Sequence, residues 1–328
     1  MWRRFRCVCA LGLAIGLLLS GCQPQPLTKS AYALDTYCAV TLQGGREATL
    51  DSAMGLLTYY DNLFSATRQG SDIYRLNHAQ GQPVAVNQET YELLAFCIQM
   101  HALSDGAFDI TLYPVSQLWD FKSGAAALPD QQDIARALTR RGMDQIHLLP
   151  DGQVQLSGGA QIDLGGVAKG YIGMRMAEQI GQDGSVASGV LDLGGNIQCL
   201  GEKADGAPFV VGIKDPLQPE RLLGRVQVPG GVAVITSGVY ERGFDLDGVR
   251  YHHLLDPQTG YPARSGLAAV TVVCGDGAMA DALSTALFVL GEERAAALLE
   301  RLEGVEALLV REDGSVRATA GLAYTPEN

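Results

Sequence analysis

Basic residues are scarce in this chain: 24 Lys and Arg stand against 36 Asp and Glu, a formal charge of −12. So acidic a body lacks the basic footprint that non-specific nucleic-acid binding requires. Any polyanionic ligand must then be held by a local device, such as a metal ion or oriented amides. Closely spaced cysteines are missing beyond residue 21. Cys22, Cys38, Cys97, Cys199 and Cys274 stand far apart, which argues against a zinc or redox pair of short spacing. Their apolar neighbours, as in AFCIQM and TVVCGD, point to buried thiols, with one or two disulfides open. Proline is sparse, no long low-complexity run occurs, and nothing repeats at a solenoid period, so one large domain or two tightly joined lobes is expected. Neither the G-x-x-x-x-G-K-[ST] spacing of a Walker loop nor the G-x-G-x-x-G of a Rossmann turn is present.

What the chain does carry begins at its N-terminus. MWRRFR and the apolar CVCALGLAIGLLLSGC read as a secretory signal too short to span a membrane stably. Leu19-Ser20-Gly21-Cys22 is the pattern cleaved before a cysteine that then takes a diacylglycerol; an ordinary signal with a chance cysteine is the other reading. The expected organisation is a lipoprotein signal peptide over 1–21, lipidated Cys22 with a polar tether over 22–30, and a folded domain over 31–325. Loss of Arg3, Arg4 and Arg6 with the signal takes the formal charge from −12 to −15. The working protein is thus expected outside the cytoplasmic membrane, anchored by lipid.

Periodicity predicts a strand in ALDTYCAVTLQG and a helix over 46–64, with Leu50, Met54, Leu57 and Leu63 roughly on one face. SDIYRLNHA breaks the pattern before a second helix that Asn87 caps. GAFDITLYPVSQLW starts as a strand and changes character at Pro114. An amphipathic helix at DQQDIARALTRRG and a hairpin around Pro150-Asp151-Gly152 follow. AQIDLGG is strand-like and leads to a helix from about Ala168. Several strands then alternate with a helix over AMADALSTALFVLG and another over 292–303. Interleaved elements with many short strand connections predict an α+β fold with a mixed sheet.

Three stretches carry chemistry. IDLGGVAKGY (162–171) and LDLGGNIQCLG (191–201) share an acid, a Leu and two glycines. The first delivers its acid and glycines to a helix start, where amides attract anions and Lys169 adds a point charge; a tight turn with a solvated lysine is the alternative. In AMADALSTALFVLG, Leu283, Leu287 and Leu290 form one stripe, and Asp281 with Thr285 lie on the other side beside Ala282 and Phe288. A buried carboxylate there requires either a hard cation such as Mg²⁺ or backbone amides from a neighbouring loop. YHHLLDPQTGYP holds two adjacent histidines; an extended segment turns at most one of them to a site, where it could serve as a general base.

In this order, IYRLN (73–77), SDGAFDITLYPVSQLW (104–119), IDLGGVAKGYI (162–172), LDLGGNI (191–197), ITSGVYER (235–242), YHHLLDPQTGYP (251–262) and ADALSTALFVLG (280–291) resemble the ApbE family, the FAD:protein FMN transferases. The resemblance covers nearly the whole chain after the signal. It implies two tightly joined lobes with an FAD and Mg²⁺ site in the cleft between them. The implied activity splits FAD and transfers FMN to a Thr or Ser hydroxyl of an exported acceptor flavoprotein subunit or domain, releasing AMP. It implies metal ligands at Asp281, Thr285 and Gly166, FAD contacts at Asn77, Ala107, Phe108, Asp109, Asp163 and Lys169, and an active-site histidine at His253. Two positions depart from the family pattern: LDTY (34–37) replaces Met-Gly-Thr, and Thr67 stands where an aromatic is common. An FAD pyrophosphatase and a lipid-anchored flavin-binding protein without turnover are the alternative functions.

Overall fold

The computed structural model describes residues 25–121 and 126–327. The expected signal over 1–21 and Cys22 lie outside the described residues. The fold opens with a hairpin of β1 (Leu27–Ala33) and β2 (Thr36–Gly44). Its turn holds Leu34 and Asp35 at φ of 54° and 58°, the left-handed pair that a two-residue hairpin loop needs. Leu is poorly suited to that region; the turn is pinned by the Leu34 N–H, which donates to Asp61 Oδ1 at 3.1 Å. Residues 27 to 30 therefore belong to the domain and not to the tether, because their main chain pairs with Leu42 to Ala39 along β2.

Helix α1 (Glu47–Phe64) buries Leu50, Leu57 and Leu63 as its spacing predicts, with Tyr60 and Phe64 beside them. SDIYRLNHA does not interrupt the helices but forms one, α2 (Asp72–His78), begun by Ser71, whose Oγ accepts from the Tyr74 N–H at 2.9 Å. After β3 (Val84–Ala85) comes α3 (Gln88–Leu103). Asn87 occupies its N-cap position without capping it; the Asn87 side-chain and main-chain N–H groups both donate to Asp72 Oδ2. GAFDIT is not a strand. Asp109 Oδ1 accepts from the Thr111 N–H and hydroxyl, which winds the chain into a 3₁₀ turn over 110–112 and then α4 (Tyr113–Ser116).

The chain continues through α5 (Gln131–Leu138) and the hairpin β4 (Ile146–Leu149) and β5 (Gln153–Leu156). AQIDLGG is extended but joins no ladder, because the Asn77 side chain takes the place of a neighbouring strand. Asn77 Nδ2 donates to the Ile162 carbonyl, and the Ile162 N–H donates to Asn77 Oδ1, both at 2.8 Å. Next come α6 (Ala168–Gly181), β6 (Val186–Leu193), β7 (Asn196–Gly201), β8 (Phe209–Lys214), β9 (Leu222–Val228), β10 (Ala233–Gly238), β11 (Gly243–Leu246) and β12 (Val249–His252). The last third holds β13 (Leu267–Cys274), α7 (Gly277–Leu290), α8 (Glu292–Leu299), β14 (Glu306–Arg311), β15 (Val316–Ala318) and β16 (Ala323–Pro326).

An eight-stranded sheet in the order β1-β2-β6-β7-β10-β13-β14-β15 forms the backbone of the molecule. The α+β class holds, but the sheet is not mixed: every ladder among the described residues is antiparallel. Tight turns join β1 to β2 and β6 to β7, and the α7–α8 pair returns the chain beside β13, so no parallel crossover is needed. Helices α6 and α7 pack on one face over the main core, which includes Ile172, Met176, Leu283 and Leu287. On the other side a smaller sheet, β16-β9-β8, closes over Cys199, Phe209, Val226, Val234 and Leu308. A third cluster gathers Val115, Trp119, Ile134, Phe244 and Leu255. Cys38, Cys97, Cys199 and Cys274 are all buried free thiols, so none is in a disulfide. No helix among the described residues is long and apolar enough to cross a membrane.

Candidate active site

A cleft of about 1540 Å³ is walled by the β1–β2 turn, the 107–109 turn, the first DLGG turn, α7, the 240–242 turn and β8. Ala107, Phe108, Asp109, Asp163, Gly166, Lys169, His253, Asp281 and Thr285 all line it. Asn77 is not among the lining residues; its amide is committed to Ile162 at both ends, so in this fold it positions the 162–166 segment from behind. Asp109 lines the wall, but its side chain is fully buried and engaged, with Oδ2 receiving Arg141 Nη1 at 3.4 Å. Leu34 and Thr67, where the chain departs from the family pattern, also line the cleft.

The first DLGG turn is built by its own acid. Asp163 Oδ1 accepts from the Gly165 N–H at 2.8 Å, and the Asp163 N–H donates to the Ile110 carbonyl at 3.0 Å. This ties the turn to the 107–112 segment. Gly166 is hemmed in: a Cβ there would stand 3.4 Å from Phe108 Cε2 and 3.7 Å from Thr285 Oγ1. Turn and α7 therefore meet at the positions the sequence singled out. The second DLGG uses the same device, Asp192 Oδ1 accepting from the Gly195 N–H at 2.8 Å, and Asp192, Gly194 and Gly195 line the cleft as well.

Asp281 is 3% exposed. Of the two partners expected for such a carboxylate, the fold supplies an amide: the Gly170 N–H, at the start of α6, donates to Asp281 Oδ2 at 2.9 Å. Around it runs a chain of hydroxyls. Ser284 Oγ donates to the Asp281 carbonyl at 2.8 Å, Ser237 Oγ lies 2.8 Å from Ser284 Oγ, and Thr285 Oγ1 lies 3.3 Å from Ser237 Oγ. One direction of donation, Thr285 to Ser237 to Ser284 to the carbonyl, satisfies every proton and leaves a Thr285 lone pair to accept a cation. Among the described residues no group of three or more His, Cys, Asp or Glu could hold a metal. The oxygen set of one carboxylate, one hydroxyl and a nearby main-chain turn fits Mg²⁺, which keeps few protein ligands and fills its remaining sites with phosphate oxygens and water.

The two histidines part company at the end of β12. His252 is buried with its ring edge-on to Phe288, centroids 5.4 Å apart, whereas His253 lines the cleft. His253 Nδ1 lies 3.3 Å from the Arg242 carbonyl oxygen. A carbonyl only accepts, so Nδ1 carries the proton and Nε2 keeps a lone pair. Burial, reinforced by the charges of Arg242 and Lys169 and by His252, lowers its pKa to about 3 although the Arg242 carbonyl opposes the shift. The imidazole is therefore neutral, as a proton acceptor must be.

The sequence does not by itself place Ser237, Tyr240, Glu241 or β8 at the cleft; only the position of ITSGVYER among the other strings of the family resemblance marks it. Burial pushes the Glu241 carboxyl up; Lys169 opposes this and the Asp281 charge adds to it, which ties all three to one electrostatic neighbourhood.

The ApbE family model matches residues 34–309. The chain is 35% identical to the FAD:protein FMN transferase of Treponema pallidum (strain Nichols), covering 98% of this chain and 94% of that protein. It is 33% identical to the FAD:protein FMN transferase of Klebsiella pneumoniae (strain 342), covering 88% and 90%. Among solved structures, the ApbE protein of Thermotoga maritima superposes with a TM-score of 0.83 at 32% identity, over 90% of this chain and 97% of that one. The apo form of the Pseudomonas stutzeri flavinyl transferase ApbE gives 0.77 at 31%, over 92% and 94%.

Proposed function

The chain belongs to the ApbE family, and from that premise we propose that it is an FAD:protein FMN transferase. It takes FAD and a protein hydroxyl, of Thr or Ser, and returns FMN joined to that hydroxyl through a phosphoester, with AMP released. The observation that carries the reading is the meeting of Asp281, Thr285 and the Gly166 turn with Lys169 and His253 in one cleft.

His253 Nε2 removes the acceptor's proton as the oxygen attacks the flavin-side phosphorus; that oxygen forms the new P–O bond while the pyrophosphate P–O bond breaks. The electron pair leaves with AMP, which takes up a proton in turn. Lys169 offers its charge to the phosphates. Phe108 and the 107–109 turn supply an apolar wall for the flavin substrate. Asp281, Thr285 and the Gly166 carbonyl would hold Mg²⁺, which when bound neutralises the pyrophosphate and polarises the phosphorus under attack. Without such a cation, the acidic body would repel this substrate.

The acceptor is an exported flavoprotein subunit or domain, and the enzyme works on the outer side of the cytoplasmic membrane, held by lipid on Cys22. The signal over 1–21 and the Leu19–Cys22 pattern support that location.

The test incubates the protein with FAD, Mg²⁺ and an envelope protein fraction and reads in-gel flavin fluorescence. Wild-type protein labels discrete bands with one AMP per flavin, and mass spectrometry locates the modified hydroxyl. His253→Ala and Asp281→Ala lower the labelling rate by about 10²–10⁴-fold. Free FMN without labelled protein identifies a hydrolase, and unconsumed FAD a binding protein; either sinks the transferase reading. Replacing Cys22 with Ser moves the protein out of the membrane fraction.

A further inference from the structure

Strand β8 is an open edge. In the small sheet the order is β16-β9-β8, so among the described residues β8 is paired on one side alone. All six of its residues, Phe209 to Lys214, line the cleft. Side chains of a strand alternate between two faces, so a cavity lying against one face meets every second residue. In β8 Phe209 and Ile213 are buried in the core under the small sheet while Val210, Gly212 and Lys214 are exposed, and the sheet order leaves the side of the strand away from β9 unpaired among the described residues.

The register says which main-chain groups point outward. The Leu223 carbonyl accepts from the Glu327 N–H at 3.0 Å, so on β9 the odd-numbered residues bond towards β16 and Gly224, Val226 and Val228 bond towards β8. These stand opposite Ile213, Val211 and Phe209. Val210 and Gly212 therefore turn their N–H and C=O groups away from the ladder and into the cleft. Among the described residues no main-chain bond outside the ladder, and no side-chain bond, reaches them. Val210 is 54% exposed, although valine is usually buried.

We infer that β8 is the docking strand for the acceptor: an extended segment beside the modified hydroxyl adds to this edge as a further strand, through the main-chain groups of Val210 and Gly212. The inference rests on the transferase reading, which requires a polypeptide to enter the cleft. A row of alternating donors and acceptors at strand spacing matches a polypeptide backbone and not a flavin or a phosphate. The cleft has room for both substrates, since its volume of about 1540 Å³ exceeds the roughly 300–1,000 Å³ of a small-molecule site. The strand shares the cleft with the reacting groups: Lys214 at its end lines it together with Lys169, His253 and Asp281.

The experiment uses a synthetic twelve-residue peptide spanning the hydroxyl that mass spectrometry locates in the labelled acceptor. Proline is tolerated at an edge position whose N–H points outward, so Val210→Pro removes one docking donor and spares the β8–β9 ladder. Val210→Ala keeps the donor and removes the side chain. Val210→Pro is expected to raise KM for the peptide at least tenfold with FAD affinity unchanged, and Val210→Ala to raise it less than threefold. Hydrogen exchange on the wild-type protein gives a second readout that no variant can confound: the Val210 and Gly212 amides gain protection when the peptide is added with FAD. An unchanged KM in a folded Val210→Pro protein, or no gain of protection, overturns the docking strand and leaves the transferase standing. No protein labelled by the wild type overturns both.

Discussion

His252 and His253 are neighbours in sequence with opposite surroundings, and their protons follow. Burial, with Arg264 and Arg250 adding to it, brings His252 to about 4, and His253 is brought to about 3. An unfolded imidazole titrates near 6.5. Between those values the unfolded chain binds protons that the native protein refuses, so stability rises with pH through the window and falls on acidification. From pH 6.5 to 5 each imidazole removes about 2 kcal/mol. Urea unfolding at pH 7 and pH 5 measures the loss, and His252→Leu should recover its share; the same pH dependence in that variant would show that burial of His252 is not the cause. Alternation along an extended segment is enough to say that at most one histidine of the pair faces a site. Which groups surround each ring comes from Arg242, Arg264 and Phe288, and nothing local announces them.

At the scale of elements, the crossing of α6 and α7 decides the site. A Cβ on Gly170 would lie 2.0 Å from the Gly277 carbonyl oxygen and 2.7 Å from Asp281 Cβ. The helices therefore touch main chain to main chain, and only this contact lets the Gly170 N–H reach Asp281. Gly170→Ala forces them apart, with an expected loss of about 3 kcal/mol and weaker Mg²⁺ binding. Thermal unfolding and calorimetric titration of Mg²⁺ read the two effects; wild-type values for both would refute the account. Within a helix, Gly170 reads as no more than a weak helix former, and its purpose lies 111 residues away on α7. Asn77 has the same character: the family motif names it, but its bonds to Ile162, 85 residues on, are what explain it. AQIDLGG and GAFDIT have strand composition, yet side-chain amides and carboxylates intercept their main chain before any strand can.

For the molecule as a whole, the boundary at Leu27 has a consequence. β1 covers the edge of β2, the outermost strand of the large sheet that would otherwise be open. A chain starting at Gln25 should be soluble and as stable as one that retains residues 22–24. A chain starting at Thr36 loses β1, exposes the β2 edge and is expected to aggregate. Size-exclusion chromatography of the two decides it, and a monodisperse chain from Thr36 would overturn the role given to β1.

The signal pattern, most helices, the β4–β5 hairpin, the two DLGG turns, the Asp281–Thr285 face and the limit of one cleft-facing histidine were legible in the amino-acid sequence. Each rests on interactions within a few residues: apolar periodicity, Asx bonds, glycine turns, strand alternation. The sheet order, the wholly antiparallel pairing of the described strands, the recruitment of Glu241 to the cleft and the open edge of β8 belong to tertiary structure alone. They follow from which distant segments lie side by side, and main-chain pairing uses the same N–H and C=O groups whatever the side chains.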